Sequence, residues 1–118
     1  MNNNKLPLIR EHQLQQLIMN YLSAKGWKVI RMQAGMVKSE RGGMVRLGEV
    51  GMPDLMCFKK GDTYTAQYEG IMKLLFIEVK TPQNPKPTFM QTQKMKELEE
   101  HGGRCLVIHS LDELIEQL

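Results

Sequence analysis

Two short segments carry charged residues that could act together as a reactive site: Asp54, preceded by Pro53, and the triplet Glu78-Val79-Lys80 at the end of an apolar run. Because alternate side chains of an extended strand share a face, we expect Glu78 and Lys80 to project together and Val79 to enter the opposite layer. If Asp54 lies on a neighbouring strand, two carboxylates converge, and like charges that close need a proton or a cation between them. The pattern therefore predicts a site for a divalent metal ion.

The elements that must position these residues follow from the spacing of apolar residues. Leu14, Ile18 and Leu22 recur at helical spacing, and Gly26 is suited to end the helix that they predict. We expect, in order, a helix over 8–25, strands over 27–32, 55–58 and 73–80, a helix over 88–102, a strand over 104–109 and a helix over 112–118. This order of helix, three strands, helix, strand and helix predicts an α/β fold whose central mixed sheet is flanked by helices.

Two further polar residues lie on the inward faces of the first two helices. Glu11 falls on the buried stripe of the first helix, where it is either a carboxylate aimed at the site or a partner of the helix dipole. Gln91 shares a face with Met95, but Thr88 and Gln91 also have the spacing of a capping box. We expect the capping role and a role in the site to compete for this one side chain.

Size and composition indicate a single domain over 1–118 that must bind any substrate with its own surface. Lys and Arg outnumber Asp and Glu by 16 to 13, a balance that is compatible with a polyanionic partner without requiring one. Cys57 and Cys105 form no CxxC pair, and the histidines have no zinc-finger spacing with them, so we expect two reduced thiols and no structural zinc. No apolar stretch approaches the ~20 residues that cross a membrane, and no secretory signal is present, so an intracellular protein is expected.

The polar residues named above belong to a longer pattern that covers nearly the whole chain. The pattern resembles the VRR-NUC family of the PD-(D/E)xK nuclease superfamily. A bare Asp followed by Glu-x-Lys is common by chance, whereas the extended set is much more specific. The matching positions are, in order, Glu11, Gly51-Met52-Pro53-Asp54, Glu78-Val79-Lys80-Thr81-Pro82, Thr88-Phe89-Met90-Gln91, Gly102 and His109-Ser110-Leu111-Asp112-Glu113. One departure is the connector 83–87, which carries two prolines where relatives commonly have a shorter turn with glycine.

The resemblance implies a restriction-endonuclease-like core and a role for each matching polar residue. Asp54 and Glu78 would ligate Mg²⁺ or Mn²⁺ together with the backbone carbonyl of Val79, and Glu11 would bind the metal directly or through water. Lys80 would orient or help deprotonate the attacking water and balance charge on the phosphate, and Gln91 would position the water or Lys80. The catalytic set expected from the family is therefore Glu11, Asp54, Glu78, Lys80 and Gln91.

Residues 33–50 are rich in glycine and basic residues, and we expect a mobile loop or an irregular hairpin. Lys38, Arg41 and Arg46 lead into Asp54, where as a group they could clamp a phosphate backbone without reading its sequence. For any one of them, an ordinary solvated loop residue is the better interpretation.

Residues 59–62 look like a turn, and residues 63–70 form a polar excursion with Tyr64 and Tyr68 at its edges. The sequence leaves open whether these two rings contact a second copy of the chain or face solvent.

The resemblance implies an endonuclease that acts on DNA, on branched or structured substrates such as four-way junctions. It implies a homodimer, with paired active sites, in the cytoplasm of a bacterial or phage-infected cell. One alternative is a protein that binds nucleic acid on a nuclease fold without cutting it, although the intact Asp54, Glu78 and Lys80 argue against it. A sequence-specific restriction enzyme would normally need a larger recognition surface than this chain offers.

Overall fold

The computed structural model of the chain describes residues 8–32, 35–61 and 72–118, with the backbone alone over 35–38 and 45–47. Within these ranges the chain forms three helices and six strands, and no helix among them is long and apolar enough to cross a membrane. The helices are α1 Glu11–Ala24, α2 Phe89–Glu100 and α3 Leu111–Gln117. The strands are β1 Lys28–Arg31, β2 Gly35–Lys38, β3 Met44–Leu47, β4 Leu55–Lys60, β5 Met72–Val79 and β6 Arg104–Ile108.

Four of the strands form one mixed sheet in the order β1-β4-β5-β6. The pairs β1–β4 and β4–β5 are antiparallel, and β5 pairs with β6 in parallel. A parallel pair requires a long crossover, which α2 provides between β5 and β6. The central strand β5 is thereby held on both sides, as its apolar sequence predicts.

Helices cover the two faces of the sheet, and the side chains of β5 alternate between them. Leu75, Ile77 and Val79 join the main core with α1 and α3. Phe76 and Glu78 face the other side, where Gln91 of α2 reaches Glu78. The prediction that Val79 enters the opposite layer from Glu78 is thus confirmed. The main core consists of Leu14, Ile18, Leu22, Leu55, Cys57, Leu75, Ile77, Val79, Leu106, Ile108 and Leu114.

The α/β class and the mixed sheet with flanking helices are confirmed, but five strands rather than three precede α2. The additional two lie within the segment 33–50, where β2 and β3 pair as an antiparallel hairpin, so the hairpin alternative for this segment is confirmed and the loop alternative is wrong. The turn expected over 59–62 is also wrong in part, because β4 continues through Lys59 and Lys60, which pair with Lys73 and Met72. The excursion 63–70, with Tyr64 and Tyr68, lies outside the described residues.

The glycine stops predicted for the first two helices and the Thr88 start of the second are confirmed, whereas α1 begins at Glu11 and not at residue 8. Gly26 and Gly102 follow α1 and α2 with φ of 91° and 97°, a region that costs glycine little. Thr88 caps the start of α2, since its hydroxyl accepts the N–H of Gln91. Cys57 and Cys105 are both reduced thiols, as expected.

Candidate metal centre

Asp54 lies immediately before β4 and is fixed by hydrogen bonds to both neighbouring strands. Its backbone carbonyl accepts the N–H of Met32, at the end of β1, at 2.8 Å. Its carboxylate oxygen Oδ2 accepts the N–H of Val79, in β5, at 2.7 Å. Pro53 is buried beside it, at a position where the missing N–H of proline does not interrupt the sheet. One carboxylate oxygen of Asp54 therefore holds the strand end, and the other is left for the site.

The loop before Asp54 packs directly against the first turn of α2. Gly51 has a φ of 79°, in the left-handed region, and a Cβ added there would overlap the backbone carbonyl of Met90 and lie 3.1 Å from the backbone nitrogen of Gln91. Only glycine therefore fits at this point without a backbone shift. An ion pair between Glu49 and Lys94 adds a second link between the same loop and α2. The close approach sets the position of Asp54 relative to Gln91.

Glu78 and Lys80 project side by side from the end of β5, as the strand period predicts. The carboxylate of Glu78 is 1% exposed and the ammonium-bearing side chain of Lys80 is 6% exposed. Lys80 Nζ lies 3.8 Å from Glu78 Oε1, which also accepts a hydrogen bond from Gln91 Nε2 at 3.0 Å. The ammonium group of Lys80 and the amide of Gln91 thus both interact with Oε1 of Glu78.

Gln91 performs the capping role and the site role together, so the expectation that the two roles compete is wrong. Its Oε1 accepts the backbone N–H of Thr88 at 2.8 Å, while its Nε2 donates to Glu78. The two ends of one amide have opposite hydrogen-bonding character, which lets a single side chain serve both partners. The helix cap orients the amide toward the carboxylate.

Glu11, the first residue of α1, completes an acidic cluster with Asp54 and Glu78. One carboxylate oxygen from each residue lies within 4.8 Å of the others. Glu11 is half-buried, which agrees with its predicted place on the inward stripe of α1. Its position in the first turn also places it near the positive end of the helix dipole. The carboxylate of Glu11 therefore can both face the site and interact with the helix dipole.

Burial raises the pKa of all three carboxyl groups, and repulsion by neighbouring carboxylates raises the pKa of Glu78 and Glu11 further. Burial is the largest cause for Glu78, whose pKa rises to about 8; Asp54 raises it further, and Lys80 opposes the rise. Burial likewise raises the pKa of Asp54, although the N–H of Val79 and a proton shared with Glu78 act in the opposite direction. The pKa of Glu11 is raised by burial and then by Asp54. Three carboxylates therefore do not all ionise here without a compensating cation.

The donor set fits a hard divalent cation. Among the described residues, Glu78 Oε2 is a buried side-chain oxygen that accepts no hydrogen bond. Such an oxygen is costly to bury unless a cation or a proton occupies its lone pairs. The cluster offers only carboxylate oxygens, the ligand type that Mg²⁺ and Mn²⁺ prefer. In the absence of a cation, a proton shared between Glu78 and Asp54 is the alternative occupant.

Of the three basic residues expected as a phosphate clamp, the structure describes one side chain, that of Arg41. Arg41 is exposed in the turn of the hairpin, and the side chains of Lys38 and Arg46 lie outside the described residues. Among the described elements, β2 and β3 contact only each other. The phosphate clamp therefore stays a prediction.

Arg31 is a neighbour of the cluster that the sequence analysis missed. It is opposite Leu55 in the β1–β4 register, so it lies beside Asp54, and its positive charge acts to lower the pKa of that carboxyl group. No local motif marks Arg31 because its place depends on how β1 pairs with β4. His12, the sequence neighbour of Glu11, is exposed.

The connector after Lys80 is held in place despite its prolines. Asn84 donates its backbone N–H to the carbonyl of Thr81 at 3.0 Å, which makes a tight turn directly after the Glu-x-Lys triplet. His109 Nε2 lies 2.7 Å from the carbonyl of Pro85, and its Nδ1 lies 3.0 Å from a carboxylate oxygen of Glu113. The Pro85 carbonyl, and then Glu113, raise the pKa of His109. This linkage attaches the connector to the start of α3.

No protein-family model, curated protein or solved structure matches the chain. The functional argument therefore depends on the fold and on the geometry of the cluster.

Proposed function

We propose that the chain is a divalent-metal-dependent nuclease that hydrolyses DNA phosphodiester bonds on a restriction-endonuclease-like fold of the VRR-NUC type. One observation carries the proposal: Glu78 keeps a buried carboxylate oxygen without a hydrogen-bond partner among the described residues, within a cluster of three acids and beside Lys80. A buried oxygen without a hydrogen-bond partner is rare in a folded protein, and a bound cation accounts for it.

The residues that would hold Mg²⁺ or Mn²⁺ are Asp54, Glu78, Glu11 and the backbone carbonyl of Val79. A residue in a strand presents its N–H and C=O to the same neighbouring strand. Since the N–H of Val79 is bonded to Asp54, its carbonyl faces the same side. When bound, the metal would lower the pKa of a water molecule and stabilise negative charge on the phosphate.

The remaining residues orient groups and balance charge around the reacting phosphate. Lys80 is held by Glu78 close to the acidic cluster, so its ammonium can hydrogen-bond an attacking water or a phosphate oxygen. Gln91 fixes the carboxylate of Glu78 through an amide that the helix cap itself orients. Positioning partners of this kind commonly change metal affinity or activity by about 10- to 100-fold.

The substrate follows from the resemblance together with the size of the chain. A single small domain has little surface with which to read a base sequence, which favours substrates recognised by shape, such as four-way junctions and flaps. Two copies related by a two-fold axis would present two metal centres to a symmetric junction. We therefore propose a homodimer acting on branched DNA.

The test is cleavage of labelled four-way junction, flap and linear duplex in Mg²⁺, Mn²⁺ or EDTA, with Lys80→Ala beside the wild type. Lys96→Ala is the matched control, because Lys96 is an exposed lysine on α2. We expect Lys80→Ala to cut about 10²- to 10⁴-fold more slowly, since the substitution removes the ammonium group that assists proton transfer from the attacking water. Lys96→Ala should cut like the wild type.

Equal products from Lys80→Ala and the wild type, or equal cleavage in EDTA and Mg²⁺, would refute the proposal. Tight binding of the junction without cleavage under any of these conditions would instead favour the non-cutting nucleic-acid-binding protein. Light scattering at high protein concentration tests the dimer separately, and a monomer would remove the paired-site arrangement.

A further inference from the structure

A second site candidate lies at the other end of the sheet, where a cavity of about 590 Å³ opens between the sheet and the ends of α1 and α3. Its walls combine aromatic and basic side chains, and none of the described residues that line it carries a carboxylate side chain. The volume suits a single small-molecule-sized ligand. The residues used below are Tyr21, Lys25, Trp27, Lys59, Lys73 and Arg104, which we call the basic pocket.

The positive charges of the basic pocket are brought together by strand register and not by sequence proximity. Lys59 of β4 and Lys73 of β5 are direct cross-strand partners, and Arg104 begins β6 beside Leu75. Lys25 follows the end of α1 and lines the same cavity. Positive charges that converge on one cavity repel one another, so an anion bound among Lys25, Lys59 and Arg104 gains from all three.

The two rings are positioned so that a flat ligand can pack beside the charges. Tyr21 and Trp27 are both half-buried against the main core, which fixes their orientation. Lys59 Nζ lies 5.2 Å from the centre of the Trp27 ring, and Lys25 Nζ lies 5.7 Å from that of Tyr21. An ammonium group thus lies over each ring, and a base that packs on the ring would displace it toward the phosphate of the ligand.

Arg104 adds a guanidinium whose position is already set. One of its nitrogens donates to the backbone carbonyl of Gln117 at 2.9 Å. Guanidinium has five N–H donors, so this contact orients the group while others are left to face the cavity. A planar fork of donors held in this way matches the oxygens of a phosphate.

We infer that the basic pocket binds a nucleotide, with its base packed against Trp27 and its phosphate among Lys25, Lys59 and Arg104. Base stacking on an aromatic side chain combined with cationic contacts to phosphate is the usual chemistry of sequence-tolerant strand binding. The nucleotide is either a free mononucleotide or one residue of a single strand, since both present a base and a phosphate. The site is separate from the metal centre: Lys73 and Glu78 lie five residues apart on β5, which is about 17 Å along a strand.

Trp27 is the sole tryptophan of the sequence, so its fluorescence reports on this pocket directly. The experiment titrates the full chain, in EDTA, with deoxyadenosine monophosphate, deoxyadenosine, inorganic phosphate and an eight-residue single strand of thymidylate. EDTA removes divalent cations, so the metal centre contributes neither binding nor cleavage. We expect saturable quenching by the mononucleotide or the single strand, and affinities about tenfold weaker for deoxyadenosine and for phosphate alone.

Lys25→Gln and Lys59→Gln should each weaken nucleotide binding about tenfold, because each removes one charged contact to phosphate. Lys96→Gln is the control: it removes the same charge from an exposed position on α2 and should leave the affinity unchanged. Circular dichroism verifies that each variant is folded. A single strand that binds more than tenfold tighter than the mononucleotide assigns the pocket to a strand, and equal affinities assign it to a free nucleotide.

The inference is overturned if neither nucleotide ligand changes Trp27 emission saturably, or if Lys25→Gln and Lys59→Gln bind as well as Lys96→Gln. Equal affinity for phosphate alone and for the mononucleotide would show that the base does not contribute to binding, which contradicts the proposed contact with Trp27. None of these outcomes bears on the metal centre, which the experiment leaves without metal.

Discussion

The two ends of the central sheet carry opposite charges in opposite environments. At one end, Asp54 and Glu78 are enclosed with Glu11, and Glu78 is 1% exposed. At the other end, Lys25 and Lys59 line an open cavity, each within 6 Å of an aromatic ring, at 5.7 Å and 5.2 Å. The acidic end buries charge and leaves an oxygen unsatisfied, whereas the basic end keeps its charges beside solvent.

The difference indicates which end of the sheet lowers the free energy of unfolding. Enclosing three carboxylates costs free energy of folding unless a cation or protons compensate them, and the raised pKa of Glu78, about 8, is the measure of that cost. Lysines that extend over aromatic rings into solvent lose little hydration and cost little. We therefore expect that substitutions at the acidic end that weaken metal binding stabilise the metal-free protein.

The largest expected effect is that of Glu78→Gln, which should remove metal binding and stabilise the metal-free protein. The glutamine retains an oxygen that can accept from Gln91, while Asp54 and Glu11 remain as counter-charges for Lys80. At pH 8 in EDTA we expect the free energy of unfolding to rise by about 1–3 kcal/mol, because a buried charge is replaced by a neutral group. Affinity for Mn²⁺ should fall by at least about 100-fold, since a direct ligand is worth more than its supporting partners.

Chemical denaturation and calorimetry measure the two effects of Glu78→Gln, with the exposed Glu116→Gln as control. Loss of stability combined with unchanged Mn²⁺ affinity would mean that Glu78 is a structural residue, and the contrast between the two ends of the sheet would disappear.

A change in stability of comparable size but opposite sign is expected for Gly51→Ala, with Gly42→Ala as a matched control. Both glycines have positive φ, 79° and 86°, but a Cβ at Gly42 meets nothing within 4 Å, whereas one at Gly51 overlaps the Met90 carbonyl. We expect Gly42→Ala to cost about 1 kcal/mol through backbone strain alone, and Gly51→Ala about 3 kcal/mol or more because packing adds to it.

Only Gly51→Ala should also slow cleavage, since the loop that carries Asp54 must move away from α2. Urea denaturation and the cleavage assay give the two measurements. Equal losses in the two variants would show that the close approach of this loop to α2 does not position the site.

A smaller effect is the pH dependence of stability without metal. The pKa of Glu78 is raised from its ordinary value of 4.5 to about 8, so the folded state keeps a proton that the unfolded chain releases. The stabilisation is fully present below pH 4.5 and is lost as the pH rises toward 8, and Asp54 and Glu11 act in the same direction. In EDTA the melting temperature should therefore fall from pH 5 to pH 8.

Mn²⁺ competes with these protons, so the stabilisation that it gives should grow over the same interval. Scanning calorimetry at a series of pH values, with and without Mn²⁺, measures both trends. A melting temperature in EDTA that rises with pH would contradict the account of the acidic end.

The smallest effect is expected from Glu11→Gln, because this carboxylate is only half-buried and belongs to the first turn of α1. We expect about a tenfold loss of Mn²⁺ affinity by calorimetry, similar to the loss of a supporting partner. Unchanged Mn²⁺ affinity would mean that Glu11 does not bind the metal and interacts only with the helix dipole.

The sequence was sufficient for the parts of the acidic end that depend on local periodicity. A strand period of two places Glu78 and Lys80 on one face and Val79 on the other, and helical spacing turns Glu11 and Gln91 inward. The dual role of Gln91 was not foreseen, because it depends on the relative orientation of the amide and a carboxylate thirteen residues away in sequence.

The basic end could not be predicted from the sequence for a physical reason. Lys25, Lys59 and Arg104 are far apart along the chain, and they meet only because β4, β5 and β6 pair in a particular register. Arg31 was missed in the same way at the acidic end. Residues that share an element can be placed by periodicity, whereas residues that share only a register cannot.

The most direct test of the metal centre is a crystal grown or soaked with Mn²⁺ and examined by anomalous diffraction. The account predicts an anomalous peak between the carboxylates of Asp54 and Glu78, on the side of the Val79 carbonyl, with ligand oxygens about 2.1–2.2 Å from the ion. Glu11 should approach the same peak directly or through water. A crystal containing saturating Mn²⁺ in which this position shows no peak would contradict the central claim.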